Sequence, residues 1–323
     1  MKILIVRIGR LGDMVMILPA LAEIKKTYPN ADIYALTSPD GVRLLKAHGV
    51  NPNHIHCYSN HFLKRPQQVR NVRHFLNQNQ FDKVFCFEKK PRTVAWLPET
   101  ATMMDDSHAD EHYALRCIKL INPQPDTIRA VPYLTPNDVD IAKQLGQYGI
   151  TSDTFVIGLH PTYSGFDKWG RTKEKRHRLW PPQSFASLIS ALTDIAQQRK
   201  LDMRFMMDLL PEERQMGERI LSLGASNLVL QCEPPNFQRF LNYLKRVNVF
   251  VAPNTGVMHL AAALNTPTVA LFSAADPGDC GPYMHPDRFR IVHSKDYANE
   301  NITIASIPVQ PVVDAVLSLL PKQ

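Results

Sequence analysis

The sequence has few cysteines and no apolar run long enough to cross a bilayer. Its five cysteines are odd in number and widely spaced, with no C-x-x-C pair: Cys57, Cys86, Cys117, Cys232 and Cys280. This spacing argues against a disulfide framework and against a zinc site. A reducing cytosol is therefore the expected environment.

Three other sequence signals are missing. The dinucleotide fingerprint G-x-G-x-x-G is replaced by a simple G-x-x-G after the first predicted strand, which counts against a nicotinamide enzyme. No D-x-D metal motif stands in a suitable turn, and the acidic pair Asp105-Asp106 is interpreted as loop. The opening MKILIVRIGRLGD is interrupted by charges and is expected to form a strand and its loop, not a signal peptide.

The hydrophobic content of the sequence predicts a folded chain, and its net positive charge favours anionic partners. The 323 residues are 44% hydrophobic and 21% charged, which suits two domains of ordinary size. The formal net charge is +7 and the pI is about 9.1. Such a charge favours anionic partners but leaves phosphorylated small molecules, anionic lipid head groups and nucleic acid open.

Short β-branched runs alternate with amphipathic segments, which predicts parallel βαβ units. The predicted strands are 2–8, 31–36, 54–57, 82–87, 154–159, 202–209, 227–230, 247–252 and 267–272. The predicted helices are 13–28, 40–48, 66–79, 137–149, 181–199, 211–223, 236–245, 256–264 and 309–320. A proline-rich stretch interrupts the series, so we predict an α/β protein of two doubly wound domains, 1–150 and 151–308, followed by a last helix within 309–323.

The first candidate site is the segment 7–13, RIGRLGD, which leaves the first strand and opens the first helix. Ligands of doubly wound sheets bind beyond the carboxyl ends of the strands. Two glycines allow close approach of the backbone, and a helix N-terminus favours anions. Asp13 fits either a first-turn acid that stabilises the helix or a general base exposed to substrate.

The second candidate is the segment 252–263, APNTGVMHLAAA, where a buried strand meets a small-residue helix. Asn254 or Thr255 can cap that helix, and N–H groups near Gly256 would face an anion such as a diphosphate. His259 lies one turn further on. It fits either a hydrogen-bonded core histidine or a ligand contact.

The third candidate is the loop 160–181, which follows another predicted strand and contains Thr162. Its basic residues are Lys168, Arg171, Lys173, Lys175, Arg176, His177 and Arg178, against Asp167 and Glu174. The loop is either a solvated charged segment or a flap over phosphates, with Lys175 or Arg178 stabilising a leaving diphosphate. Trp169 and Trp180 are expected to pack the flap or to stack on a base or sugar.

Weaker signals follow three other predicted strands. Lys64, Arg65, Arg70 and Arg73 surround one predicted helix, and Lys89, Lys90 and Arg92 follow the strand at 82–87. Both sets fit either an anionic acceptor or a solvated face. Glu212 and Glu213 follow the strand at 202–209 and fit either ribose hydroxyls or a helix dipole.

At these residues the sequence resembles glycosyltransferase family 9, the ADP-heptose:lipopolysaccharide heptosyltransferases. The resemblance rests on three segments in the expected order: KILIVRIGRLGDMVMILPALAEIKKTYPNADI, RLWPPQSFASLI and PNTGVMHLAAALNTPTVALFSAADP. It implies a GT-B fold of two Rossmann-like domains facing a cleft. The N-terminal domain would bind the acceptor, the C-terminal domain would bind the donor, and the last helix would pack back on the first domain.

The resemblance also implies a reaction: metal-independent, inverting transfer of a heptose from ADP-heptose to a Kdo- or heptose-containing lipopolysaccharide inner-core acceptor. No cofactor and no nucleic acid are expected, and the acceptor implies transient contact with the cytosolic face of the inner membrane. Asp13 stands where the family places its catalytic base. Arg178 stands where many members have a lysine on the donor phosphates.

The remaining roles follow from the same resemblance. Donor-binding residues would be Thr162, Lys175, Glu212, Glu213, Asn254, Thr255, Gly256 and His259, and acceptor-binding residues would be Arg10, Gly12, Lys64, Arg65, Lys89 and Arg92. Asn254 replaces an aspartate common before T-G, the segment MDLLPEER lacks the usual glycines, and the loop 160–178 is unusually basic. These departures keep open another sugar, a protein acceptor or a non-catalytic sugar-nucleotide-binding relative. A nucleic-acid-binding protein is suggested only by the pI and has no recognised motif.

Overall fold

A computed structural model of the chain describes residues 1–59, 65–88, 91–104, 109–125, 132–136, 141–163, 176–225, 227–232, 236–298 and 302–320. The chain divides into two units. Unit 1 comprises Met1–Thr135 with Gly278–Cys280, and unit 2 comprises Pro136–Pro277 with Gly281–Gln323. The division lies before the predicted boundary near residue 150, because the helix at Ile141–Gly146 packs with a helix of unit 2.

Unit 1 is built on a sheet of five parallel strands in the order β3-β2-β1-β4-β5. Its strands are β1 (Lys2–Arg7), β2 (Asp32–Thr37), β3 (Ile55–Cys57), β4 (Lys83–Cys86) and β5 (Thr102–Met103). Its helices are α1 (Leu11–Val15), α2 (Leu18–Thr27), α3 (Pro39–Ala47), α4 (Arg65–Gln78), α5 (Pro91–Val94) and α6 (Tyr113–Lys119). The central strand β1 is buried on both faces, as its continuous apolar sequence predicts.

Unit 2 is built on six parallel strands in the order β11-β10-β9-β6-β7-β8. The strands are β6 (Phe155–Leu159), β7 (Met203–Asp208), β8 (Leu228–Gln231), β9 (Val249–Pro253), β10 (Thr268–Phe272) and β11 (Phe289–His293). The helices are α7 (Ile141–Gly146), α8 (Pro182–Gln198), α9 (Arg214–Leu221), α10 (Phe237–Arg246), α11 (Gly256–Ala263), α12 (Pro277–Cys280, shared with unit 1) and α13 (Val309–Leu319). No helix among the described residues is both long and apolar enough to cross a membrane.

The C-terminal helix α13 belongs to unit 2. Its expected packing on the N-terminal domain stays a prediction. Val312, Val313 and Val316 are buried in the apolar core of unit 2, where α13 packs against α8 and the strands β9, β10 and β11. These three buried valines lie on one apolar face of the helix, which packs against the sheet of unit 2.

Two predicted helices are divided in the structure. The predicted helix 13–28 becomes α1 and α2, because Pro19 cannot donate a backbone hydrogen bond and its ring would clash with the carbonyl four residues earlier. The predicted helix 211–223 begins as a 3-10 turn at Pro211–Glu213 and continues as α9. Both divisions lie close to residues predicted to bind substrate.

Each sheet reverses its strand order at one point, and the segments of interest lie there. In unit 1 the reversal falls between β1 and β4, and in unit 2 it falls between β6 and β9. Crevices form beyond the carboxyl ends of strands at such switch points. Asp13 follows β1, Thr162 follows β6, and Asn254 to Gly256 follow β9.

Candidate functional site

In unit 1 the carboxylate of Asp13 is anchored through both oxygens at the start of α1. Its Oδ1 lies 2.9 Å from Arg7 Nη2, and its Oδ2 accepts the backbone N–H of Arg10 at 2.9 Å. The bond to Arg10 is that of a helix-capping acid. The side chain nevertheless remains 38% exposed. Asp13 is therefore a fixed first-turn acid whose carboxylate remains accessible.

The other predicted acceptor residues are only partly described. Arg10 is exposed beside Asp13, and Gly12 lies within the first turn of α1. Arg65 and Arg92 lie on α4 and α5, with their side chains outside the described residues. Lys64, Lys89 and the pair Asp105-Asp106 lie outside the described residues altogether.

In unit 2 the first turn of α11, which follows β9, is not capped by the side chain of its own N-cap residue. Thr255 is the N-cap residue, with extended backbone geometry, but its side chain makes no capping bond. Its Oγ1 is buried and finds no hydrogen-bond partner among the described residues. The N–H groups of the first turn have no intrahelical acceptor, so this turn can receive an anionic group at Gly256.

The two polar neighbours of that turn differ in burial. Asn254 is partly exposed, and its backbone N–H donates to Leu271 O at 3.0 Å, which fixes the end of β9 to the neighbouring strand. His259 is buried, with 6% of its surface exposed. It lies within α11, one turn after Gly256.

Thr162 and Glu213, predicted separately, are brought together by a direct hydrogen bond. The Thr162 hydroxyl donates to Glu213 Oε1 at 2.7 Å and lies 3.4 Å from His160 Nε2. Glu213 Oε2 accepts the backbone N–H of Leu210 at 3.1 Å. Burial raises the pKa of Glu213, although the bonds from Thr162 and Leu210 oppose that shift. Glu212, by contrast, is exposed.

His160 is the member of this cluster that the sequence analysis did not single out. It follows β6 directly, its backbone N–H donates to Val251 O at 3.0 Å, and its side chain is buried. Burial lowers the pKa of His160 from 6.5 to about 4. The ring is therefore neutral in the folded protein at physiological pH.

This shift predicts a loss of stability in mild acid. Because the folded-state pKa lies below the unfolded value of 6.5, the stabilising contribution is present above pH 6.5 and is lost as the pH falls towards 4. Between pH 6.5 and pH 5 the loss is about 1.5 kcal/mol. Urea unfolding of the wild type and of His160→Gln at both pH values would measure it. On acidification the variant should lose about 1.5 kcal/mol less of its free energy of unfolding than the wild type loses. An equal loss in both proteins would contradict a lowered pKa for His160.

Arg178 and Trp180 show what anchors the end of the basic loop. Arg178 is half-buried in a 3-10 turn, Arg176–Arg178. Trp180 is fully buried, donates from Nε1 to Ile307 O at 3.0 Å and packs edge-on against Phe185. Of the two roles expected for Trp180, the structure supports packing. Lys175 and Trp169 lie outside the described residues.

Beyond β7 and β8 lies a buried ion pair that the sequence analysis missed. Asp208 Oδ1 is 2.7 Å from Arg239 Nη2, and Gln231 Oε1 accepts from Arg239 Nη1 at 3.1 Å. Asp208 and Gln231 end neighbouring strands, while Arg239 lies on α10. Asp208 belongs to the segment MDLLPEER, which leads from β7 to Glu212 and Glu213. Within the described ranges, no group of three or more His, Cys, Asp or Glu residues is placed to hold a metal ion.

The sequence model of glycosyltransferase family 9 (heptosyltransferase) matches residues 142–304, just over half of the chain. The chain belongs to glycosyltransferase family 9. It is therefore a glycosyltransferase. The match includes the β6, β7 and β9 strand ends, so the clusters around Glu213 and Gly256 lie within the family's shared segment.

Known relatives agree with this membership. Lipopolysaccharide heptosyltransferase 1 of Salmonella typhimurium is 23% identical over 308 residues, which cover 88% of this chain and 92% of that protein. Lipopolysaccharide heptosyltransferase 3 of Escherichia coli is 22% identical over 347 residues, covering 96% and 97%. The solved structure of E. coli ADP-heptose lps heptosyltransferase II superposes with a TM-score of 0.74 at 17% identity, covering 99% of this chain and 98% of that one. That likeness shows the fold, which is GT-B with its two Rossmann-like units.

Proposed function

We propose that this glycosyltransferase moves a heptose from ADP-heptose to a Kdo- or heptose-containing inner-core acceptor of lipopolysaccharide, with inversion and without a metal or other cofactor. The proposal rests mainly on the geometry of Asp13. Its carboxylate is held at both oxygens and is still 38% exposed at the switch point of unit 1. The substrates are taken from the names of the relatives, which are lipopolysaccharide heptosyltransferases and, for the solved structure, an ADP-heptose enzyme.

In the proposed reaction Asp13 is the general base. It takes the proton of the acceptor hydroxyl while that oxygen forms a bond to the anomeric carbon and the bond from that carbon to the diphosphate breaks. Attack opposite to the leaving ADP inverts the anomeric centre. An anchored carboxylate suits this task because it needs no reorientation as the proton moves.

The departing ADP carries the developing negative charge, and unit 2 offers groups to stabilise it. The first turn of α11, at Gly256, presents N–H groups that the Thr255 side chain does not cap, and Arg178 adds a cationic side chain. We assign the diphosphate to this turn, with Thr255, His259 and Lys175 as further donor contacts. Glu212 is the exposed member of its pair, so we assign the ribose hydroxyls to Glu212 and the support of its loop to Glu213.

The remaining assignments concern the acceptor. We place it in unit 1 near Arg10 and Gly12, with Lys64, Arg65, Lys89 and Arg92 as cationic contacts for its anionic groups. Such an acceptor is lipid-linked, so we propose a cytoplasmic enzyme that makes transient contact with the inner membrane.

Nucleotide release from ADP-, GDP- and UDP-sugars, with and without Kdo-lipid A, tests the proposal. We expect ADP release from ADP-heptose that requires the acceptor and is unchanged by EDTA, with a product of inverted configuration. Release from another donor would replace the proposed sugar and direct attention to Asn254, which stands where the family commonly has an aspartate. If the protein binds a donor but releases no nucleotide with any acceptor, it is a non-catalytic relative. Loss of turnover in EDTA would overturn metal independence.

A further inference from the structure

Arg7 is the residue that links Asp13 to the opposite side of the switch point in unit 1. It is the last residue of β1, and its side chain is only 14% exposed. One end of its guanidinium, Nη2, lies 2.9 Å from Asp13 Oδ1. The other end, Nη1, donates to Phe87 O at 2.9 Å and lies 3.4 Å from Glu88 Oε1.

The contacts on the Phe87 side hold Arg7 independently of Asp13. Glu88 is 1% exposed, and its Oε1 also accepts the backbone N–H of Ile8 at 2.8 Å. Phe87 O accepts a second hydrogen bond, from the Tyr113 hydroxyl at 3.1 Å. The Tyr113 ring lies beneath the guanidinium, with 5.3 Å from Arg7 Cζ to the ring centroid. The cation is therefore clamped by the segment after β4 and by α6.

Electrostatics keep the clamped group charged. Burial alone lowers the pKa of Arg7, but Coulombic interactions with Tyr113, Asp13 and Glu88 more than offset it, and the net shift is upward. A buried guanidinium needs anionic partners, and Glu88 supplies one that is itself inaccessible. Asp13 is the second partner and the only one of the two that is substantially exposed.

We propose that Arg7 is a positioning residue for the base, fixing the orientation of the Asp13 carboxylate through Oδ1 while the backbone of Arg10 fixes Oδ2. This inference rests on the proposed function, in which Asp13 is the base. With both oxygens held, the carboxylate cannot turn about its Cβ–Cγ bond, and its remaining lone pairs are presented to the acceptor hydroxyl. Arg7 acts through Asp13 and is given no contact with substrate.

If Arg7 had a purely structural role, its replacement would change stability but not the kcat of the folded enzyme. The contacts with Phe87 O and Glu88 join the ends of two neighbouring strands, and losing them would affect folding. The contact with Asp13 adds orientation of an exposed group. The two roles separate when turnover, substrate binding and stability are measured on the same variants.

The experiment compares Arg7→Ala, Arg7→Lys and the control Arg43→Ala in the full-length enzyme. Arg43 is an exposed arginine of α3 whose ion pair with Asp40 lies on the helix surface. We expect kcat of Arg7→Ala to fall about 100-fold with the donor KM within about twofold of wild type, because misplacing a reacting group costs about this much. Guanidinium ion at tens of millimolar should restore part of that kcat, and Arg43→Ala should match wild type.

Arg7→Lys guards against a folding failure, since it keeps the charge and most of the aliphatic stem. Its donors all lie on one nitrogen, so it cannot reach Asp13 and the Phe87 side together as the two guanidinium nitrogens do. We expect it to unfold near the wild-type temperature and to lose about 10-fold in kcat. Wild-type kcat in Arg7→Lys, or a folded Arg7→Ala that guanidinium does not rescue, would overturn the positioning role. The activity of Asp13→Asn tests the base assignment independently. If Asp13 is not the base, Asp13→Asn is active. If only the Arg7 proposal is wrong, Asp13→Asn is inactive.

Discussion

Replacing Asp13 by asparagine is expected to lower kcat by about 1,000-fold or more, the upper part of the range for a general base. The amide keeps the size of the side chain and one acceptor oxygen but cannot take up the hydroxyl proton. It also presents an NH2 group either to Arg7 or to the N–H of Arg10, both of which are donors at 2.9 Å in the wild type. Turnover with saturating donor and acceptor is the measurement.

The same variant should retain its nucleotide affinity and nearly all of its stability. The proposed diphosphate contacts lie in unit 2, so ADP affinity by calorimetry is expected within about twofold of wild type. The variant loses either the capping bond from Arg10 or the contact with Arg7, which Phe87 O and Glu88 still hold, and one such bond costs about 1 kcal/mol. A folded Asp13→Asn enzyme with near wild-type turnover would exclude Asp13 as the base, and matched losses of turnover and ADP affinity would indicate a wider disturbance.

The fold was largely predictable because its core strands are continuous apolar runs. Strand β1, residues 2–7, needs no context to be recognised, since both of its faces are buried. Strand β5 was missed because it contains two residues, Thr102 and Met103, and depends on pairing with β4. Strand β11, Phe289–His293, was missed because its partly exposed pattern is weak until it is paired with β10.

The candidate site was predictable only where the chemistry lies in one segment. Asp13 and Gly256 follow strands within recognisable motifs, so their placement at switch points could be anticipated. Arg7 lies in the same motif as Asp13, but its role depends on Glu88, which is 81 residues away and is brought near by the pairing of β1 with β4. No spacing rule connects those two residues before the strand order is known.

The choice between Glu212 and Glu213 illustrates the same limit. Adjacent glutamates after a strand are equivalent in sequence, and only the fold turns one inward. Glu213 meets Thr162 from the loop after β6, whereas Glu212 is exposed. Likewise, the placement of α13 depends on which apolar surface lies nearest to its valines, and the sheet of unit 2 provides it.

The second large effect is expected from Gly9→Ala, which tests the position of the Asp13 carboxylate without changing its chemistry. A Cβ atom at Gly9 would lie 2.5 Å from Asp13 Cβ and 2.8 Å from Asp13 Oδ2. Because the closest atom is the root of the side chain, the aspartate cannot escape by rotating its tip. The backbone or the whole side chain must shift, and Oδ2 would leave the N–H of Arg10.

A displacement of this size is expected to lower kcat by about 100-fold while ADP affinity stays within about twofold. Gly146→Ala is the matched control, since a Cβ at that position meets nothing within 4 Å and Gly146 ends a helix of unit 2. It should keep wild-type turnover. If Gly9→Ala folds and also keeps wild-type turnover, the carboxylate tolerates displacement, and a base held in one orientation is the wrong description of this site. If only Gly9→Ala is impaired, the packing of Gly9 against Asp13 is a requirement of catalysis, and the glycine after β1 is explained by the space that the base occupies.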